Sequence, residues 1–89
     1  MITTTQVSVV AGAPAILIAT GSRSTVVTAT SGGPLVYLGG DVNVTDVDGF
    51  LLQNPDATVT LELGQGDSLY AFRPLSAGTN AIVYTLVTS

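Results

Sequence analysis

A third of this 89-residue chain is β-branched: twelve valines, four isoleucines and thirteen threonines. Such side chains are stiff at χ1 and suit a pleated surface better than a helix. Strong helix formers other than Ala and Leu are nearly absent, with one Glu, one Met and no Lys. No window places apolar residues at i, i+3, i+4 and i+7 against a polar face. The chain therefore reads as all-β. At this length it is one small domain.

Turn residues punctuate the sequence regularly, at Gly12–Pro14, Gly21–Ser22, Ser31–Pro34, Gly39–Asp41, Asp48–Gly49, Asn54–Asp56, Gly64–Asp67 and Pro74–Asn80. Between them the spacing predicts strands near 5–10, 15–20, 24–30, 35–38, 42–45, 57–63, 68–73 and 81–88. About eight short strands predict a single antiparallel β-sandwich, with jelly-roll-like and Ig-like strand orders both open. Residues 1–14 read as an N-terminal arm and first strand, and 15–89 as the sandwich domain. Two hairpins are expected. One joins Ile16–Thr20 to Ser24–Thr28 across Gly21-Ser22. The other joins Thr58–Leu63 to Ser68–Phe72 across Gly64–Asp67.

Alternation along the strands is the more telling signal. Val59, Leu61 and Leu63 oppose Thr58, Thr60 and Glu62, which is one dry and one wet face. Elsewhere both faces are apolar. Ile82, Tyr84 and Leu86 oppose Ala81, Val83 and Val87; Ile16 and Ile18 oppose Ala15, Leu17 and Ala19; Leu35 and Tyr37 oppose Val36 and Leu38. A domain this small buries only about 60–65% of its unfolded surface. The second apolar face is expected to meet another chain, since large exposed apolar patches mark interfaces. The competing reading is an exterior that simply tolerates apolar atoms.

Charge is correspondingly scarce. Only 9% of residues are charged, against roughly a quarter in ordinary domains. The cations are Arg23 and Arg73; the anions are Asp41, Asp46, Asp48, Asp56, Glu62 and Asp67. Two positive side chains cannot neutralise a phosphate backbone or hold an anionic lipid surface, so neither nucleic acid nor membrane is an expected partner. The longest uncharged apolar stretch, Ala11–Ala19, is too short to span a bilayer and contains Pro14. No basic residue precedes it as a secretory signal requires. Asn43-Val44-Thr45 fits the glycosylation pattern and reads as a chance match.

No catalytic residue, cofactor site or metal site is assigned. The chain has no His, Cys or Lys, so nothing is present to activate its many hydroxyls or to build a His–Cys zinc site. It is expected not to be an enzyme and to need no cofactor. Asp41–Gly49 imitates the start of a calcium loop, but the required glycine and glutamate positions fall on Asp46 and Leu52, or on Leu51 and Ala57. Aspartates shaping a tight turn are the favoured reading. A carboxylate pair for glycoside hydrolysis lacks the aromatics of a sugar groove. Arg23 and Arg73 are open to pairing either with a neighbour's carboxylate or internally with Asp41, Asp67 or Glu62, the internal option being favoured. The Met1–Thr5 arm is open to fraying or to adding a strand to a neighbouring sheet.

The stretches LIATGSRSTVVTATSGGPLVYLGG, DVNVTDVDGFLL, VTLELGQGDSLYAF and AIVYTLVTS have a shared cadence. It comprises an Arg before a β-rich strand, Val36-Tyr37-Leu38-Gly39-Gly40, Val44-Thr45, Gly49-Phe50, Leu61-Glu62-Leu63, Gly66-Asp67 and Leu69-Tyr70-Ala71. Over residues 16–88 this resembles small β-sandwich virion proteins of tailed bacteriophages. Residues 1–14 lie outside the resemblance, and the loop Arg73–Asn80 is longer than the family's usual link. The resemblance implies a capsid decoration or cement protein located in the virion after assembly in the host cytoplasm. Its partners would be the major capsid protein or another virion protein, and a homotrimer would suit three-fold shell positions. The alternatives are a tail- or fibre-associated domain and a carbohydrate- or calcium-binding sandwich module.

Overall fold

The computed structural model describes every residue except Met1, Ser22, Arg23, Ser24, Pro34, Asp46, Pro55 and Ser89. Eight strands form: β1 (Ile2–Val9), β2 (Ile16–Thr20), β3 (Thr25–Ser31), β4 (Val36–Gly39), β5 (Phe50–Leu52), β6 (Thr58–Leu63), β7 (Ser68–Phe72) and β8 (Ala81–Thr88). A 3-10 turn, Leu75–Ala77, interrupts the link before β8. The strands make two four-stranded antiparallel sheets, ordered β1-β8-β3-β6 (sheet A) and β2-β7-β4-β5 (sheet B). The protein is the all-β sandwich its composition predicts.

The pairings are nested. Ile2 faces Thr88, Ile16 faces Ala71, Thr25 faces Leu63, and Val36 faces Leu52. Each strand therefore pairs with the one equally far from the other end of the order, as though one long hairpin had been rolled up. Added contacts β3·β8 and β4·β7 close the roll. This is the jelly-roll order, which decides between the two topologies left open by strand count.

The two expected hairpins do not form. β2 pairs with β7 and β3 with β6 and β8, so β2 and β3 lie in different sheets, as do β6 and β7. Their glycine-rich links are arches across the sandwich. The two links meet at Gly21, whose N–H donates to the Asp67 carbonyl at 2.8 Å. Within the second arch, Gly64 N–H donates to Asp67 Oδ2 and Asp67 N–H to the Gly64 carbonyl. Turn chemistry marks where the chain reverses, but the same residues serve a hairpin or an arch. Here the nested pairing takes the strands elsewhere.

Residues 42–45 are not a strand. Asn43 N–H bonds Asp41 Oδ1, and Val44 N–H bonds the Asp41 carbonyl, which winds the segment into a turn. The strand is formed instead by Phe50–Leu52, which pairs with β4 across the loop 40–49 as the one hairpin among the described strands. Leu35 adopts φ 60° and lies outside β4, so the expected pairing of Leu35 with Tyr37 on one face fails. A bulge between Leu17 and Ala19 likewise breaks the alternation of β2, and Ile18 and Ala19 are both buried.

Between the sheets lies a core of small side chains. Val27, Ala29, Val36, Ala71 and Val83 are fully enclosed, with Ile18, Leu38, Leu52, Leu63 and Leu69 around them. Buried polar groups are satisfied: Ser31 Oγ bonds the Gly33 carbonyl, and Thr85 Oγ1 bonds Thr5 Oγ1 at 2.7 Å. Leaving such groups unpaired would cost about 1–3 kcal/mol each.

Candidate functional site

The outward faces of both sheets are the features with functional potential. On sheet A, the central strand β8 presents Ile82, Tyr84 and Leu86, each about 40% exposed. Their cross-strand neighbours are Ser8, Gln6 and Thr4 on one side, with Tyr84 and Leu86 facing Thr30 and Thr28 on the other. Threonine pairs extend the face, with Thr28 bonded to Thr60 at 3.1 Å and Thr30 to Thr58 at 2.8 Å through their hydroxyls, and Glu62 opposite Val26 ends the row. Hydroxyls already paired to each other lose little when water is removed, so this face is cheaper to bury than its threonine content implies.

On sheet B, Phe72, Tyr37 and Leu51 lie in one cross-strand row, and Leu17 stands opposite Tyr70. Leu17 and Leu51 are exposed and the three aromatics half-buried. Among the described residues, no charged side chain lies in this cross-strand patch. The expectation of apolar residues on both faces holds for β8 and, through Tyr37, for β4; in β2 the bulge breaks the alternation, and β7, which was not among the strands expected to show it, has Tyr70 and Phe72 on its outer face. The exterior face is left uncovered by the chain itself.

A third apolar surface lies between the sheets where β5 and β6 form their edges. The core there is incompletely filled. Leu38, Phe50, Val59, Leu61, Leu63 and Leu69 line a groove of about 700 Å³, with Asp41 and Asp67 at its rim. Phe50 opposes inward-pointing Leu38 in the β4–β5 register yet is 60% exposed. Alternation alone would have assigned Phe50 to a filled core; in the structure it lines the groove instead.

The acidic residues do not converge. Among the described residues, no group of three or more candidate metal ligands is assembled. Asp41 and Asp48 close turns: Asp48 Oδ1 accepts from Thr45 N–H at 2.9 Å and from Thr45 Oγ1 at 3.2 Å. The Thr45 backbone N–H holds the Asp48 carboxyl below its ordinary value, and that outweighs the opposing effect of desolvation. A depressed carboxyl favours the folded loop above the unfolded value near 3.9, and the benefit is lost as pH falls through the lower folded value. In an NMR titration, the Asp48 carboxyl is expected to have its midpoint below about 3.9, tracked by the Thr45 amide. A midpoint at or above that value contradicts the bond.

Arg73 is buried, with 2% exposure. Its Nε donates to the Thr79 carbonyl at 2.5 Å and its Nη2 to Thr79 Oγ1 at 3.2 Å, while its own carbonyl accepts from Gly12 N–H. It thus ties the β1–β2 link to the long loop before β8. This corrects the option of a surface pair with a neighbour's carboxylate, because so enclosed a side chain is not presented to another chain. Arg23 and Asp46 fall outside the described residues. Arg73→Met is expected to lose about 2 kcal/mol by urea denaturation, through a charged hydrogen bond lost and a carbonyl orphaned. A loss under about 0.5 kcal/mol, within the range of a surface change, would count against this role.

Comparison with family models, curated proteins and solved structures returns no match to this chain.

Proposed function

We propose that the protein is a structural component of a tailed-bacteriophage virion, one that decorates the capsid and stabilises it by bridging subunits. The observation that carries this reading is a pair of charge-free apolar stripes on the outer faces, Ile82-Tyr84-Leu86 on sheet A and Leu17-Tyr37-Leu51-Tyr70-Phe72 on sheet B, with Glu62 at the β6 edge of the sheet A face. A sandwich with apolar exteriors on both sides is suited to lie between neighbours. Association through the two stripes themselves desolvates no charge, which favours long-lived contacts. Binding energy gained only on the assembled shell stabilises that shell by mass action. Jelly rolls recur in viral capsid and lectin domains. That recurrence is analogy at the level of the fold, and the sequence cadence over residues 16–88 adds a resemblance of the same direction.

The test is a density map of purified particles from the phage that encodes the chain. Sandwich-shaped density on the shell, spanning subunit junctions, is the expected result. Density confined to the tail, or none at all, would refute capsid decoration. A calcium-dependent rise in melting temperature would instead favour the binding-module alternative.

A further inference from the structure

A jelly roll has four edge strands, and each exposes unpaired N–H and C=O groups unless something blocks it. Here β1, β6, β2 and β5 are the edges. Three of them carry a recognisable block. β2 is broken by its bulge between Leu17 and Ala19. β5 is only three residues long. β6 presents Glu62 and is followed by the arch that contains Asp67. β1 has none of these. It runs ITTTQVSV for eight residues, pairs with β8 without interruption, and contains no charge, glycine or proline. The described carboxylates, Asp41, Asp48, Asp56, Glu62 and Asp67, all lie outside β1 and its neighbour β8.

The hydrogen-bond directions of β1 follow from the ladder beside it. Gly32 N–H donates to the Ile82 carbonyl, so Ile82 turns its backbone groups toward β3. On the other side of β3, Ser31 N–H donates to the Ala57 carbonyl, which fits the same alternation. Antiparallel strands alternate strictly. Ile82, Tyr84 and Leu86 therefore bond β3, and Ala81, Val83, Thr85 and Val87 bond β1. Their partners are Val9, Val7, Thr5 and Thr3. Ile2, Thr4, Gln6 and Ser8 are left with N–H and C=O aimed at the open side.

We infer that this edge pairs with the β1 of a second copy, antiparallel across a two-fold axis through Thr5. In that register Ile2 opposes Ser8 and Thr4 opposes Gln6, each twice by symmetry. Every outward donor and acceptor finds a partner, and residues of the same face stay on the same face. Other registers leave outward groups unpaired. Thr5, which points to the inner side of sheet A yet is exposed, meets its own copy beneath the axis, and Thr3 faces Val7 of the second copy. The outcome is one continuous eight-stranded sheet. Its charge-free strip brings no like charges together, although the chain's net charge is −4. An eight-residue edge is roughly 27 Å long, a small contact by the standard of specific interfaces, so dissociation on the order of micromolar is expected. An isologous contact makes pairs, in place of the three-fold ring that the resemblance implies. The inference does not depend on the capsid reading.

The chain has no cysteine, so single-cysteine variants report on the register directly. Thr5 faces its own copy at a non-hydrogen-bonded position, where Cα atoms lie about 4.5 Å apart, within disulfide range. Thr5→Cys is expected to oxidise to a disulfide dimer, whereas Thr4→Cys, which faces Gln6 of the second copy, is not. Sedimentation of the unmodified protein is expected to give a concentration-dependent dimer. Gln6→Pro, which removes only an outward donor, is expected to abolish the dimer without changing the melting temperature; Val7→Pro, which removes a bond to β8, is expected to lower the melting temperature. A protein that stays monomeric at millimolar concentration overturns the inference. So does a trimer, or Thr4→Cys cross-linking in preference to Thr5→Cys.

Discussion

Gly21→Ala is expected to destabilise the fold by at least about 3 kcal/mol. An added Cβ would overlap the Gly64 carbonyl oxygen and stand 2.8 Å from Leu63 Cβ. Both obstacles belong to the neighbouring arch and its strand, so neither can swing aside as a flexible side-chain tip would. The arches are also bonded here, through Gly21 N–H and the Asp67 carbonyl. Separating them breaks that bond and disturbs the end of both sheets. For a domain of this size, about 3 kcal/mol corresponds to a fall in Tm of roughly 12–24 °C. The control is Gly40→Ala, where the nearest atom is the Ser68 carbonyl at an ordinary 3.7 Å. That variant is expected to melt within a few degrees of the parent. Thermal unfolding by circular dichroism compares the two. Equal melting temperatures would mean that the arches do not touch, and with that the two-sheet path of β2, β3, β6 and β7 would fail.

Placing charge on the outer faces is expected to separate folding from assembly. Tyr84→Lys with Leu86→Lys alters the exposed stripe of sheet A, and Leu17→Lys with Leu51→Lys alters the patch on sheet B. These sites are solvated, so each pair is expected to cost only about 1 kcal/mol or less of stability. At an interface the same lysines must be desolvated without a partner. Loss of affinity on the order of a hundredfold is expected for the face that meets the shell. Co-sedimentation with particles stripped of the protein measures it. If both double variants bind as the parent does, neither face is the docking surface, and the groove between β5 and β6 becomes the next place to look.

The two predictions draw on different levels of the molecule. The lysine variants rest on alternation, a local property with period two. Ile82, Tyr84 and Leu86 stand on one side of β8 whatever β8 pairs with, so their shared face was legible along the chain. The same holds for Thr58, Thr60 and Glu62 on β6. It fails where the backbone leaves the pleat, at the Leu17–Ala19 bulge and at Leu35, where φ is 60°. The glycine prediction was not legible. Nothing near Gly21 in sequence signals Gly64, because the two meet only when the arches are stacked by the nested pairing. The buried role of Arg73 was hidden in the same way. Its partner Thr79 is six residues away, but the enclosure that turns a surface cation inward comes from the packing of the loop over the sheets.

Residue chemistry alone determined that this chain is all-β, that it lacks the groups for general acid–base or zinc chemistry based on His, Cys or Lys, and that several strands are apolar on both sides. Those properties depend on side-chain type and on a two-residue repeat, which any pairing preserves. Tertiary structure decided what pairs with what. It made arches of two expected hairpins, placed β5 at Phe50–Leu52 and ordered the sheets as a jelly roll. It also left β1 as the one edge without a block. Those outcomes depend on contacts between residues far apart in the chain, whose energies are set by the whole packed sandwich and not by any local stretch of it.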